Sequence, residues 1–372
     1  MRIGIDARSL SKKVCGVSQV VIQLIKALAV LDFENEYIIY VDKFFPDFVL
    51  PKNFRLVFTG CARKNNLQDF YFNRILTKDQ LDVYHCMHSW LPLFLSRKTR
   101  VVITIHDLFV VDDLEFFAKY GFFKFFAREW FRYLLIYSVW RTDAIVAVSQ
   151  YGKKEICRHF PEASNKVKVI PNASGLITQD FKGIVPLLEG KYFFYLGNCR
   201  SYKNVEMLIQ GFARFFFLSN DQDIRLIIAG NDTYTKIIKL TESLGVAKNV
   251  KFVINPSSNK IIELYKGALA FVFPSKYEGF GIPVLEAMQF GVPVIISDAE
   301  ALLEVAQGAA LVVSHKQPDE LAKAMQRIVN EKTLRHDLAE KGLDRVKIYT
   351  WERSAEELKS LYRATERGKP VR

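Results

Sequence analysis

The stretch Phe273-Pro274-Ser275-Lys276-Tyr277-Glu278-Gly279-Phe280-Gly281-Ile282-Pro283-Val284-Leu285-Glu286-Ala287-Met288 decides how this chain is read. The apolar run Leu269–Phe273 that leads into it reads as a buried strand. A glycine-containing loop follows, then a helix in which Pro283 occupies the first turn, where a missing N–H costs nothing. Gly279 and Gly281 let the backbone approach a ligand closely. The helix start offers N–H groups and the positive end of a dipole, which together attract an anion. Glu278 stands in the loop and Glu286 about one turn into the helix. Two carboxylates flanking a phosphate site suit a polyol, since each accepts hydrogen bonds from vicinal hydroxyls. From the residues alone, this predicts a sugar-phosphate or nucleotide site at the carboxyl end of a strand.

The same alternation of short apolar runs and amphipathic helices extends in both directions. Upstream, strands are predicted at Ile3–Ile5, Tyr37–Val41, Arg55–Phe58, Val83–Cys86, Val101–Ile105, Ala144–Val148 and Val167–Ile170. A second set is predicted at Tyr192–Leu196, Arg225–Ala229, Lys251–Val253, Leu269–Phe273, Val292–Ile296 and Leu311–Val313. Runs such as Val101-Val102-Ile103 suit parallel strands covered on both faces. Helices are predicted between them, for example at Val17–Val30, Tyr151–His159, Val205–Leu218, Pro283–Phe290 and Asp319–Asn330, with a last one at Trp351–Arg367. The fold class is α/β, two doubly wound Rossmann-like domains facing a cleft at the carboxyl ends of their strands. The joint is expected in the irregular stretch Asp180–Glu189, giving domains 1–183 and 184–350 with a terminal helix in 351–372.

Three further loops carry polar residues at predicted strand ends. Gly197-Asn198-Cys199-Arg200-Ser201-Tyr202-Lys203-Asn204 follows the first strand of the second domain, and its Arg200 and Lys203 suit a diphosphate that gains charge as it leaves. His106, after Val101–Ile105, is either a cleft-facing group or a hydrogen-bonded structural histidine. Cys15-Gly16-Val17-Ser18 opens the first helix, but the chain holds neither a dinucleotide fingerprint there nor a Walker A sequence. His85 and His88 have ligand spacing but no nearby third ligand, and no metal site is read there. Asp221-Gln222-Asp223 precedes its strand and reads as a solvated turn.

The 372 residues fit two domains of about 100–200 residues each. The longest charge-free stretch, Val83–Ser96, falls short of the roughly 18–20 apolar residues of a membrane-spanning helix. The start Met1-Arg2-Ile3-Gly4-Ile5-Asp6 lacks the apolar core of a secretory signal, and the five scattered cysteines suit a reduced cytoplasmic chain. The net charge of +12 is uneven: residues 1–200 hold 28 Lys and Arg against 19 Asp and Glu, and the remainder 24 against 21. No nucleic-acid motif accompanies the surplus, so nucleic acid is not expected as a partner. Within Phe116–Trp140, twelve aromatic rings interleave with Lys119, Lys124, Arg128 and Arg132. Most of these rings are expected to pack on the sheet or line a groove. Gly121–Phe126 is apolar on too many sides for one core face, and an interfacial membrane helix is the other reading.

With these motifs in hand, the chain resembles retaining glycosyltransferase family four, the group 1 glycosyltransferases of GT-B fold. The resemblance rests on Glu278 and Glu286 with seven residues between them, and on Ile3-Gly4-Ile5-Asp6-Ala7-Arg8, Val148-Ser149, Val169-Ile170-Pro171-Asn172, Gly291-Val292-Pro293-Val294-Ile295 and Glu304-Val305-Ala306. It implies a nucleotide-sugar donor and no metal or other cofactor. Glu286 would bind the ribose, and Glu278 would sit by the transferred sugar. Gly279, Phe280, Gly281 and Ile282 would face the sugar and phosphates. Lys203 would bind the diphosphate beside Gly197, with Gly16 near the phosphates and His106 at the sugar. The last helix would cross back to the first domain.

Asn198 stands where many members carry Arg, Tyr202 where others do, and Ala173 where Gly is usual. Arg200 is the expected substitute cation. The Lys203-Asn204 pair is similar to that of mannosyl- and rhamnosyl-adding members, which puts GDP-mannose first among donors. The expected reaction is transfer of a hexose to a glycan or lipid-linked acceptor in cell-surface polysaccharide or lipopolysaccharide synthesis. It is expected on the cytoplasmic side, with an anionic membrane surface as a further partner. The alternatives are a non-catalytic glycan- or membrane-binding protein and a sugar-nucleotide epimerase or phosphorylase of the same fold.

Overall fold

The computed structural model describes residues 1–10, 16–61, 66–93, 95–109, 117, 121–176, 191–219, 221–232 and 234–368, the side chains of Asn66 and Leu67 excepted. Cys15, Arg63, Lys64, Phe116, Lys119, Tyr120 and the expected joint at Asp180–Glu189 lie outside the described residues. The chain divides into two compact units, Met1–Gly175 with Thr350–Arg372, and Leu176–Tyr349.

The first unit holds β1 (Arg2–Asp6), β2 (Glu36–Val41), β3 (Phe54–Phe58), β4 (Val83–Cys86), β5 (Arg100–Ile105), β6 (Ala144–Ala147) and β7 (Val167–Val169). They form one parallel sheet in the order β3-β2-β1-β4-β5-β6-β7. Val101, Val102 and Ile103 are fully buried, as strands covered on both faces require. Its helices include α1 (Gly16–Leu31), α2 (Asn66–Asp79), α3 (Lys124–Arg141) and α4 (Gln150–His159). The α4 start is capped by Ser149, whose side chain accepts from the Gly152 N–H. On one sheet face a single core joins Phe72 and Leu76 of α2, Leu135 and Val139 of α3, and Ile156 of α4 to Tyr84, Ile103 and Ile145.

The second unit repeats the plan. β8 (Tyr192–Leu196), β9 (Arg225–Gly230), β10 (Val250–Ile254), β11 (Ala270–Phe273), β12 (Val294–Ser297) and β13 (Leu311–Val313) form a parallel sheet ordered β10-β9-β8-β11-β12-β13. Its helices are α5 (Val205–Leu218), α6 (Thr235–Ser243), α7 (Ser258–Lys266), α8 (Ile282–Gln289), α9 (Glu300–Ala306), α10 (Pro318–Asn330) and α11 (Lys332–Val346). In each sheet the order reverses beside the first strand, at β1/β4 and at β8/β11. Ligands of open α/β sheets bind at the carboxyl ends of strands at such a reversal.

The last helix, α12 (Trp351–Glu366), belongs to the first unit. It packs along α1 and against β4 and β5. The Trp351 indole N–H donates to the Ser174 carbonyl at 2.6 Å, and the Ser354 hydroxyl to the Pro171 carbonyl at 2.6 Å. Lys359 lies 3.5 Å from the buried Asp32 carboxylate. Tyr362 Oη and His85 Nδ1 are 2.6 Å apart, and His85 Nε2 meets Thr104 Oγ1 at 2.8 Å. Both ring nitrogens are thereby engaged, so His85 is a fully buried structural group.

The expected inward packing of most rings in Phe116–Trp140 is corrected by the structure. Phe117 is buried, whereas Phe122, Phe123, Phe125, Phe126, Trp130, Tyr133 and Trp140 are exposed. The inward face of α3 is taken by Leu134, Leu135, Ser138 and Val139. A helix on a sheet offers the core only one apolar stripe, and these rings lie off it.

Candidate active site

The loop after β8 and the loop after β11 meet at the second unit's strand-order reversal. The Lys276 N–H donates to the Tyr202 carbonyl at 2.7 Å, tying the two together. In the first loop, residues 201–203 form a single tight helical turn that ends at Asn204, whose φ is 58°. Asparagine tolerates this left-handed conformation better than most residues. The Asn204 side-chain amide donates to the Pro274 carbonyl at 3.1 Å and to the His315 carbonyl at 2.8 Å. One side chain thus joins the loops that follow β8, β11 and β13, and fixes the residue next to Lys203.

Lys203 Nζ lies 2.6 Å from Glu278 Oε1, with both side chains largely buried. The same ammonium stands 5.1 Å from the Phe273 ring centre and 5.2 Å from that of Tyr202. Aromatic faces attract a cation more strongly once it is desolvated. The Arg200 side chain is exposed just before this turn, and its backbone N–H donates to Asn198 Oδ1 at 3.2 Å.

Gly197 directly follows β8, and its carbonyl accepts from the Tyr234 hydroxyl at 2.9 Å. A Cβ on the facing Gly230 would stand 2.2 Å from that same oxygen, so the two loops approach more closely than a side chain permits. The Cys199 N–H donates to Asp232 Oδ2 at 2.9 Å. Burial first, then the Asp232 charge, pushes the Cys199 thiol up to about 12, which keeps it a protonated, unreactive group.

Gly279, Phe280 and Gly281 lead into α8, which starts at Ile282 with Pro283 in its first turn. Gly281 has φ +120°, and a Cβ there would lie 2.7 Å from Leu302 Cδ2. The Phe280 ring is buried and packs edge-on against Tyr349, with ring centres 5.5 Å apart. Pro283 has no N–H and the Val284 N–H donates to the Gly281 carbonyl at 3.0 Å, so helix geometry leaves the Ile282 N–H without a partner inside α8.

Glu286 is buried on this helix, and its Oε2 accepts from the Tyr265 hydroxyl at 3.0 Å. Burial first, then the Glu286 charge, raises the Tyr265 phenol well above its usual value and keeps it a donor. Neither Tyr265 nor the bridging role of Asn204 is signalled by a motif. Only the topology brings them to the site.

Two expected site residues belong to the first unit. His106 follows β5, and its Nε2 lies 3.2 Å from the Met87 carbonyl. Gly16 is the first residue of α1, with nothing within 4 Å of an added Cβ. The arrangement in the second unit can neutralise a diphosphate with Lys203, accept hydroxyl hydrogen bonds at Glu278 and Glu286, and present N–H groups at the α8 start.

Known proteins share sequence and fold with this chain. Residues 178–345 match the sequence model described as "Glycosyl transferases group 1", and residues 14–173 match "Glycosyltransferase Family 4". An uncharacterized glycosyltransferase of Methanocaldococcus jannaschii is 26% identical over 306 residues, 78% of this chain and 77% of that protein. The O-antigen chain mannosyltransferase B of Escherichia coli is 27% identical over 286 residues, 73% of this chain and 71% of that protein. The solved structure of sucrose-phosphate synthase from Thermosynechococcus elongatus superposes with a TM-score of 0.75 at 20% identity, covering 97% of this chain and 98% of that one. The repeated parallel sheets, the two family matches and this superposition agree: the chain belongs to the group 1 glycosyltransferases of family 4 and has the GT-B fold.

Proposed function

We propose that the chain is a retaining hexosyltransferase that needs no metal. It moves a hexose from a nucleoside-diphosphate sugar, GDP-mannose first among candidates, to a glycan or lipid-linked acceptor in cell-surface polysaccharide synthesis of the O-antigen or lipopolysaccharide type. The observation that carries the reading is the Lys203–Glu278 pair at the β8/β11 reversal, with the Tyr265-anchored Glu286 eight residues further along the same loop and helix. The O-antigen mannosyltransferase of E. coli supports the choice of sugar and pathway class.

In the proposed step the bond from the sugar's anomeric carbon to the diphosphate oxygen breaks. The acceptor oxygen bonds to the same carbon from the same face, and its proton passes to the departing diphosphate. Lys203, helped by Arg200 and the N–H groups of Phe280, Gly281 and Ile282, holds the charge that grows on the leaving group. Glu278 orients the transferred sugar and Glu286 the ribose. Gly279 and Gly197 leave room for the ligand, and His106 and Gly16 keep the roles the resemblance gives them. We place the enzyme itself in the cytoplasm, peripheral on the inner face of the membrane.

A thermal-shift panel of nucleoside diphosphates and their sugars tests this. A ligand at about a hundred times its dissociation constant adds about 2.7 kcal/mol to stability. A shift with one nucleotide class, followed by hexose transfer in the presence of EDTA, is expected. No shift with any nucleotide overturns the transferase reading in favour of a non-catalytic binding protein.

A further inference from the structure

We infer that Asp298 and His315 are positioning residues for Lys203, acting through the Asn204 side chain. The inference deepens the proposed reaction, in which Lys203 holds the departing diphosphate, and rests on that reading for its effect on turnover. Asp298 directly follows β12, and His315 stands two residues after β13. Asp298 Oδ1 accepts from the His315 backbone N–H at 3.1 Å and lies 2.6 Å from His315 Nδ1. An ionised carboxylate only accepts, so Nδ1 carries the proton that faces it. Burial works to raise the Asp298 carboxyl, but the hydrogen bonds from His315 outweigh it and hold the group below its usual range. It therefore stays an acceptor at neutral pH. A carboxylate that grips both the N–H and the ring of one residue fixes its orientation as well as its place. The adjoining Ser314 N–H donates to Glu320 Oε2 at 2.7 Å, which ties the same turn to the first turn of α10. The His315 carbonyl is thereby aimed at Asn204 Nδ2, 2.8 Å away.

The Asn204 amide needs this carbonyl. The residue is buried, and its side-chain nitrogen has two hydrogens to satisfy. One goes to the Pro274 carbonyl and the other to His315. If the His315 carbonyl turns away, a buried donor loses its partner and the left-handed backbone at Asn204 loses a tether. Lys203, one residue earlier, is set against the Glu278 carboxylate and the faces of Phe273 and Tyr202. A displacement of about 1 Å in a group that meets the reacting atoms can cost on the order of a hundredfold in rate. The Asp298 and His315 side chains are 42% and 26% exposed, and ion pairs in such places add little to stability. Their substitution should therefore leave the fold intact and act on placement.

Competitive acetylation of the full chain, read lysine by lysine by mass spectrometry, tests the inference without a ligand. Asp298→Ala is expected to raise the labelling of Lys203 at least about threefold relative to the exposed Lys251, with the thermal midpoint little changed. Asp298→Asn keeps an oxygen that can accept from His315 and is expected to label like the wild type. Affinity for guanosine diphosphate gives the second readout. Asp298→Ala is expected to lose about fivefold in the wild-type background and nothing further in Lys203→Ala, because the effect passes through that lysine. Unchanged labelling of Lys203 in Asp298→Ala, the same labelling in Asp298→Asn as in Asp298→Ala, or equal losses of affinity in both backgrounds overturns the inference. A rise spread over the lysines of the second unit, with a lower midpoint, shows a structural role only and overturns it as well. Failure of the transferase reading is seen separately, as no nucleotide shift in the wild type, and leaves the labelling result to decide the link from Asp298 to Lys203.

Discussion

Lys203 and Glu278 are 75 residues apart in the chain, yet their ammonium and carboxylate groups are 2.6 Å apart. The pair holds each charge in place before any ligand arrives. In the proposed reaction a diphosphate entering the site would exchange one anionic partner of Lys203 for another, so the lysine would never be left in a low-dielectric pocket without a counter-charge. Glu278 would be released toward a sugar hydroxyl in the same exchange.

Lys203→Ala and Glu278→Ala are each expected to lower turnover by at least about tenfold, about 1.4 kcal/mol of transition-state stabilisation. Steady-state kinetics with a fixed acceptor measures this. Wild-type turnover in both variants removes the pair from the reaction.

Tyr265→Phe removes the hydroxyl that donates to Glu286 at 3.0 Å. The expected result is a rise of roughly three- to tenfold in KM for the donor with kcat little changed, in line with a net hydrogen-bond contribution of about 1 kcal/mol. An equal fall in kcat and kcat/KM would instead place the carboxylate's effect in the chemical step.

Gly281→Ala puts a side chain where φ is +120° and Leu302 Cδ2 is 2.7 Å from the new carbon. Leu302 can turn aside, but the backbone strain stays. A loss of at least about 1 kcal/mol is expected, read as a lower midpoint in thermal unfolding, together with weaker nucleotide binding. Unchanged stability would show that the α8 start is not held in this conformation.

His85 gives the stability a pH dependence. Burial first, then the His106 charge, lowers its imidazole from the ordinary 6.5 to about 3. In the unfolded chain the ring takes up a proton below about pH 6.5, while in the folded chain it stays neutral until about pH 3. The unfolded state therefore binds more protons in this window, and stability is lost as pH falls through it. A reduction of roughly 2 kcal/mol between pH 7 and pH 5 is expected from this group, less in His85→Gln. Thermal melts of both proteins at the two pH values check it, and parallel slopes would contradict it.

The sheets were legible because a parallel strand buried on both faces leaves an apolar run that few other structures require. The strand ends were less so. The run Val292–Ile296 predicts an earlier start than the observed Val294–Ser297, and Pro293, which has no N–H to donate, stands at the difference. The Glu278/Glu286 loop was legible because loop, glycines and helix start are contiguous. The Lys203–Glu278 contact was not visible as a contact, since β8 and β11 become neighbours only through the strand order. Tyr265 drew no reading from the sequence, and His85 read as a histidine with ligand spacing. Both gain their meaning from partners far along the chain, Tyr362 and Glu286 among them. The α3 rings were ambiguous because a segment aromatic on several sides does not show by period alone which side the sheet takes.

Helix α12 has a consequence for how the chain is made. The ribosome delivers the seven strands of the first unit, then the whole second unit, and only then the helix that carries Trp351, Lys359 and Tyr362. Until it arrives, α1, β4 and β5 lack their cover, and His85 and Asp32 lack the partners that α12 brings. The unit begun first is therefore the one finished last. Domains commonly fold in the order of their synthesis. Here completion runs the other way, because the first unit lacks the cover of α12 until the second unit has been made.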